Sequence, residues 1–147
     1  MTNKMEQINL LKSKGILVIE LKNKSEELQK KWEEAFAKHL SKSQKSKIYF
    51  YQHLWHVFSY NKIPCLEQQK ARDAFNKVKK NGCYIFYQDK ENALLLENAK
   101  SLKAENILKE INGYIEDVYV VDADFTWTYV FTHEEYCGPY FYQPSEE

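Results

Sequence analysis

The stretch Val120–Glu134, VVDADFTWTYVFTHE, decides the architecture of this chain of 147 residues. From Phe125 to His133 the residues alternate. Phe125, Trp127, Tyr129, Phe131 and His133 share one face, and Thr126, Thr128, Val130, Thr132 and Glu134 share the other. A period of two is the signature of a β-strand. Just upstream, Asp117–Val121 (DVYVV) is a second β-branched run, and Asp122 and Asp124 supply turn residues between the two. So short a connection joins antiparallel strands. Pro139–Tyr142 adds a short edge piece.

Working back from that pair, Cys83–Tyr87 (CYIFY) is apolar on both faces and reads as a central strand. Ile16–Leu21 (ILVIEL) reads as a buried strand. Met5–Lys14 forms a short helix ended by Gly15. Asn23 with Glu26 makes a capping box, and Leu28, Trp32, Phe36 and Leu40 then fall on one stripe of a long helix. Ser41–Lys47 is a solvated loop. Ile48–Ser59 (IYFYQHLWHVFS) reads as a helix, because at 100° per residue Gln52, His53, His56 and Ser59 cluster on one side. Leu66–Lys80 resumes helix, with Ala71, Ala74, Phe75 and Val78 inward, until Asn81-Gly82 stops it. Glu91–Leu102 and Ala104–Ile111 read as two short helices. The alternation of strand and helix between residues 16 and 121 implies some parallel pairing. The expectation is one α+β domain over residues 1–147: a mixed sheet of four or five strands, covered by helices, with antiparallel C-terminal strands.

The composition excludes several classes. With 44% hydrophobic and 15% aromatic residues the chain has ample core material, so disorder is not expected. Its aliphatic runs fall far short of the ~20 residues a membrane helix needs. The N-terminal residues MTNKMEQINLLKSKG lack the apolar centre of a signal peptide. Three cysteines, Cys65, Cys83 and Cys137, with no CxxC, suit a reducing cytoplasm. The net charge of +0 conceals an asymmetry: residues 1–48 carry +5, residues 49–109 carry +4, and residues 110–147 carry −9 without one Lys or Arg. An acidic surface suits a basic protein partner and disfavours nucleic acid. The cations are twenty lysines and one arginine, Arg72, which weakens a phosphate-backbone role further.

Several residues are candidates for chemistry. His53 and His56 stand at i, i+3, a workable spacing for two metal ligands, and His133 completes a three-histidine site if the elements converge. A solvated polar face is the plainer reading. His133 and Glu134, with Cys137 nearby, offer an acid–base pair, against a strand end beside a Gly-Pro turn. Asp122 and Asp124 suit a cation or a turn. The ring-bearing face of Phe125–His133, with Trp127 at its centre, is a stacking platform for a small ligand or simply core. The chain contains no P-loop, GxGxxG, GxSxG or HExxH.

Two segments carry a resemblance: LWHVFSY (Leu54–Tyr60) with CLEQQKARDAF (Cys65–Phe75), and VVDADFTWTYVFTHE (Val120–Glu134) with GPYF (Gly138–Phe141). They resemble a bacterial family of small proteins, domain of unknown function 4275. The likeness runs from about Trp32 onward, and its most specific part is FTWTYVFTHE…GPYF. It implies a stand-alone cytoplasmic bacterial protein and brings no established activity and no assigned catalytic residues. No cofactor is expected.

Three functions follow as expectations. The first is a protein-binding module, immunity- or antitoxin-like, that meets a basic partner through an acidic C-terminal face including Asp122, Asp124, Glu134 and Glu135. The second is a small enzyme or metal-binding protein using His56, His133 and Glu134, with Trp55 and Trp127 lining a pocket. It requires His56 and His133 to lie close together. The third is a small-ligand binder using the aromatic face, which requires Trp127 to be reached by solvent. The balance leans away from an enzyme, and the sequence leaves oligomeric state and strand order open.

Overall fold

The structure, a computed structural model, describes residues 4–108, 110–111, 114–134 and 136–144. Its centre is a seven-stranded sheet in the order β1-β4-β3-β7-β8-β9-β2, antiparallel at every pairing. The strands are β1 (Leu17–Leu21), β2 (Leu66–Glu67), β3 (Cys83–Tyr87), β4 (Ala93–Glu97), β7 (Val118–Asp122), β8 (Thr128–Phe131) and β9 (Tyr140–Tyr142). Two further strands, β5 (Glu110–Ile111) and β6 (Tyr114–Ile115), pair only with each other.

Both faces of the sheet are covered, which explains why β3 and β7 are apolar on both sides. On one face lie α1 (Lys4–Ser13) and α5 (Gln68–Lys77), burying Leu11, Phe75, Ile85, Val120, Trp127 and Tyr129 in one cluster. Phe75 stacks on Tyr129 at 4.3 Å between ring centroids and meets Trp127 edge-on at 5.6 Å. On the other face lie α2 (Ser25–Phe36), α3 (Lys42–Lys47) and the short α4 (His56–Ser59), with Trp32, Phe50, Phe58, Phe86 and Tyr119 in the second cluster. Trp32 packs edge-on against Phe36, Phe58 and Tyr119, and its indole N–H donates to Thr128 Oγ1 at 2.8 Å. That bond satisfies a donor which burial would otherwise leave at a cost of about 1–3 kcal/mol.

The fold corrects several expectations. The class, α+β, holds, but the sheet has seven strands rather than four or five and is not mixed. Two segments expected as helix account for the extra strands: Leu66–Glu67, the start of the expected helix Leu66–Lys80, is β2, and Ala93–Glu97 is β4. Ala93–Glu97 (ALLLE) was expected as helix, since Ala and Leu favour it. Instead it is β4, paired on both sides with β1 and β3, so long-range ladders override local propensity. With β4 between β1 and β3, the connection expected to cross over becomes a hairpin and parallel pairing disappears. Within Ala104–Ile111 the helix reduces to a 3₁₀ turn at Ala104–Asn106.

Ile16–Leu21 gives an edge strand rather than a buried one, with Leu17 54% and Ile19 38% exposed. Asn23 does not cap α2. It takes the left-handed conformation, φ 58°, and its N–H donates to Asn92 Oδ1. Phe125 likewise has φ 57°, which rotates its ring off the β8 face. Trp127, 1% exposed, and Tyr129, 0% exposed, lie in the core, so the centre of the aromatic face is packing. The stretch Ile48–Ser59 is the most instructive departure. It is a string of turns followed by one turn of helix, α4, pinned by buried Phe50, Leu54 and Trp55.

Candidate functional site

Adjacent strands β3, β7 and β8 end together, with Tyr87 opposite Val118 and Val118 opposite Phe131. The residues just beyond this common edge are Gln88, Asp117 and His133, and Gln88 N–H donates to the Asp117 carbonyl at 3.1 Å. The Asp117 side chain is 3% exposed. Its Oδ1 accepts the His133 backbone N–H at 2.7 Å and lies 2.7 Å from His133 Nδ1. Its Oδ2 lies 3.3 Å from His53 Nδ1. A carboxylate this deep is tolerable because three groups face it.

His53 reaches the site from the turns before α4. Leu54 N–H donates to Gln88 Oε1 at 3.1 Å, the Tyr119 hydroxyl donates to the same oxygen, and Trp55 N–H donates to that hydroxyl at 3.3 Å. Gln88 and Tyr119 are both buried, so the strand edge clamps the loop by its backbone on either side of Leu54. Burial and the Asp117 charge push the Tyr119 phenol well above its ordinary value, which keeps it a neutral donor.

His56 stands beside them. Its ring centroid is 4.8 Å from that of His53 and stacks on Tyr60 at 5.0 Å. Its Nδ1–H donates to the Ile48 carbonyl, which in the neutral ring leaves Nε2 unprotonated. Burial holds its pKa below the usual histidine value, opposed by the Ile48 bond and helped by the neighbouring His53. Trp55, 1% exposed, packs among the three imidazoles, with centroid distances of 4.5 Å to His56, 5.7 Å to His53 and 6.0 Å to His133. Its indole N–H has no hydrogen-bond partner among the described residues. At the rim, Glu134 Oε1 is 3.8 Å from His133 Nε2, and the Cys137 thiol donates to Glu134 Oε2.

The structure therefore brings His53, His56, His133, Glu134 and Trp55 to one end of the sheet. It places Asp122, Asp124 and Trp127 at the other end of β7, roughly 16 Å along a strand of this length. There Asp122 Oδ2 accepts from Thr126 N–H and Oγ1–H, the behaviour of a turn residue, while Asp124 is exposed in the same turn. Glu135 lies outside the described residues. Sequence reasoning missed Asp117, Gln88 and Tyr119. The one signal for Asp117 was its place as a charged residue opening an otherwise apolar run, DVYVV.

One donor atom each from His53, Asp117 and His133 lie within 4.8 Å of one another. An ion with bonds of about 2.0–2.2 Å spans ligand atoms roughly 3–4 Å apart. His53 Nδ1 and Asp117 Oδ2, 3.3 Å apart, match that spacing, while His133 Nδ1, at the 2.7 Å of a hydrogen bond to Asp117 Oδ1, has to draw back to share an ion with it. What fold and site define is an α+β protein with a two-histidine, one-carboxylate cluster on the edge of an antiparallel sheet. The chain belongs to the family described as domain of unknown function 4275, whose model matches residues 5–141. No curated protein and no solved structure matches it. Among the described residues no helix is long and apolar enough to cross a membrane.

Proposed function

We propose that this chain is a metal-binding protein that holds one divalent transition-metal ion through His53, Asp117 and His133. The observation that carries the proposal is the buried Asp117 carboxylate facing an imidazole Nδ1 on either side, 2.7 and 3.3 Å away. Two nitrogens and one oxygen suit zinc, iron, manganese or nickel better than the all-oxygen shells of calcium and magnesium. Three protein ligands leave positions open for water or substrate, the arrangement of a catalytic rather than a structural site. His56 Nε2 and Glu134 flank the cluster as proton acceptors, which supports metal-assisted hydrolysis as its chemistry.

Cobalt(II) titration tests this. Saturable visible absorption bands at about one equivalent are expected for the wild type, lost in His53→Ala, Asp117→Asn and His133→Ala. Absence of saturable bands, or bands that survive all three changes, overturns the proposal.

A second reading, an acidic surface that docks a basic protein, rests on exposed Asp124 and Glu134 and on Tyr136, 88% exposed. It has less support. Glu116 is buried against Lys90 at 3.4 Å, Asp117 faces the histidines, and Asp122 serves its own turn. Unchanged capture of every partner after neutralising Asp122, Asp124, Glu134 and Glu135 would end this reading.

A further inference from the structure

A second constellation lies on the α5 face of the sheet and is independent of the histidine cluster. Helix α5 and the turn at residues 103–107 wall a groove of about 520 Å³. Its floor is apolar: Ala104, Ile107 and Phe131 line it and are each 6% exposed or less. Its polar wall carries Arg72, the one arginine beside twenty lysines, and Lys103. The walls are tied together where Ala104 N–H donates to Asn76 Oδ1 at 2.8 Å and Lys103 Nζ donates to the Asn76 carbonyl at 3.1 Å.

Among the described residues the cations here are not matched by acids. Arg72 is half-buried and makes no hydrogen bond or ion pair among the described residues. The Lys103 ammonium donates to a backbone carbonyl, that of Asn76. Lys80, 3% exposed, donates to the Val78 carbonyl and sits 4.5 Å over the Phe75 ring. Burial and then the charge of Lys103 pull the Lys80 ammonium down to about 8. Among the described residues lining the groove the one carboxylate, Glu105, is exposed at its rim. Tyr129, 0% exposed, packs edge-on against Phe131, and its hydroxyl has no partner among the described residues although Arg72 is near enough to bias its ionisation. A half-buried guanidinium without a carboxylate, among other unneutralised cations, is a receptor for an oxyanion, since its planar fork matches one bidentately.

We propose that this groove binds a small organic oxyanion, a phosphate or carboxylate carried on an apolar body. Arg72 grips the oxyanion, Lys103 adds charge, and Ala104, Ile107 and Phe131 receive the body. The body distinguishes the site from a general affinity for anions on a lysine-rich surface, where apolar contact adds nothing.

Backbone amide NMR with phenyl phosphate, benzoate and inorganic phosphate tests this. Phenyl phosphate or benzoate is expected to shift amides of residues 69–76 and 103–107 saturably, the tighter of the two identifying the head group. Inorganic phosphate is expected to bind more weakly than phenyl phosphate. Arg72→Gln is expected to raise Kd by about tenfold or more, and Arg72→Lys by less, because lysine keeps the charge but not the fork. Asp117→Asn is expected to leave Kd unchanged, which separates this site from the metal proposal. Unsaturable shifts spread over surface lysines, equal binding of phosphate and phenyl phosphate, or an unaltered Kd in both Arg72 variants overturns the inference. Matching thermal midpoints for wild type and variants establish that Arg72 acts on the ligand and not on folding.

Discussion

Asp117 holds His133 by two atoms of the same residue. Its Oδ1 accepts the His133 backbone N–H and lies within 2.7 Å of the ring Nδ1, while Oδ2 turns to His53. The carboxylate thus fixes where β8 ends, which way the His133 ring faces, and how close the His53 loop approaches. A position that sets backbone and ring together is preorganised by the sheet and not by the loop.

Gln88 is the residue through which the sheet holds that loop. Gln88→Leu removes the acceptor for both Leu54 N–H and the Tyr119 hydroxyl, leaving buried donors at about 1–3 kcal/mol each. Urea unfolding is expected to show the loss in the midpoint without a change in slope, together with weaker cobalt binding as His53 drifts. Retention of both stability and cobalt affinity would show that the clamp does not position His53.

All three tryptophans are enclosed: Trp32 is 0%, Trp55 1% and Trp127 1% exposed. Iodide is therefore expected to leave native fluorescence almost unquenched and to quench it strongly after unfolding in guanidinium. Efficient quenching of the native protein would return the aromatic face to consideration as a ligand platform.

Phe75 joins α5 to the sheet through a stacked and an edge-on contact, with Tyr129 and Trp127. Phe75→Ala leaves a cavity in a cluster that cannot collapse around it, and is expected to cost about 3–5 kcal/mol. Chemical denaturation measures this, and a loss under about 1 kcal/mol would contradict the packing described.

Lys80 gives the pH dependence a sign. Its folded value of about 8 lies below the ordinary lysine value of 10.5, so the unfolded chain binds more protons between those limits. Its penalty is full below about 8 and fades as pH rises toward 10.5. The stability advantage of Lys80→Met over wild type is expected to shrink steadily across that window. An advantage that stays constant or grows would mean that Lys80 is not penalised in the fold.

What the sequence made legible follows from range. Cys83–Tyr87 is apolar on both faces and Asp117–Val121 is a β-branched run, so both are readable as strands, and Leu28, Trp32 and Phe36 announce α2 through a period that needs no partner. Ala93–Glu97 was not readable, because only pairing with β1 and β3 outweighs the helical preference of its residues. The site shows the same division. His53, His56 and His133 were visible as candidates, but their meeting depends on Gln88 and Tyr119 clamping a segment that has no regular period. Asp117 was hidden by its own strand, since its role appears only when β8 is laid beside β7.

The central claim is that His53, Asp117 and His133 hold a metal ion, and elemental analysis of untagged protein purified without chelator tests it most directly. Wild type is expected to carry about one equivalent of zinc, iron, manganese or nickel, and Asp117→Asn, equally folded, close to none. Wild-type protein that stays metal-free after incubation with each of these ions, or an Asp117→Asn variant that keeps its full complement, would contradict the account.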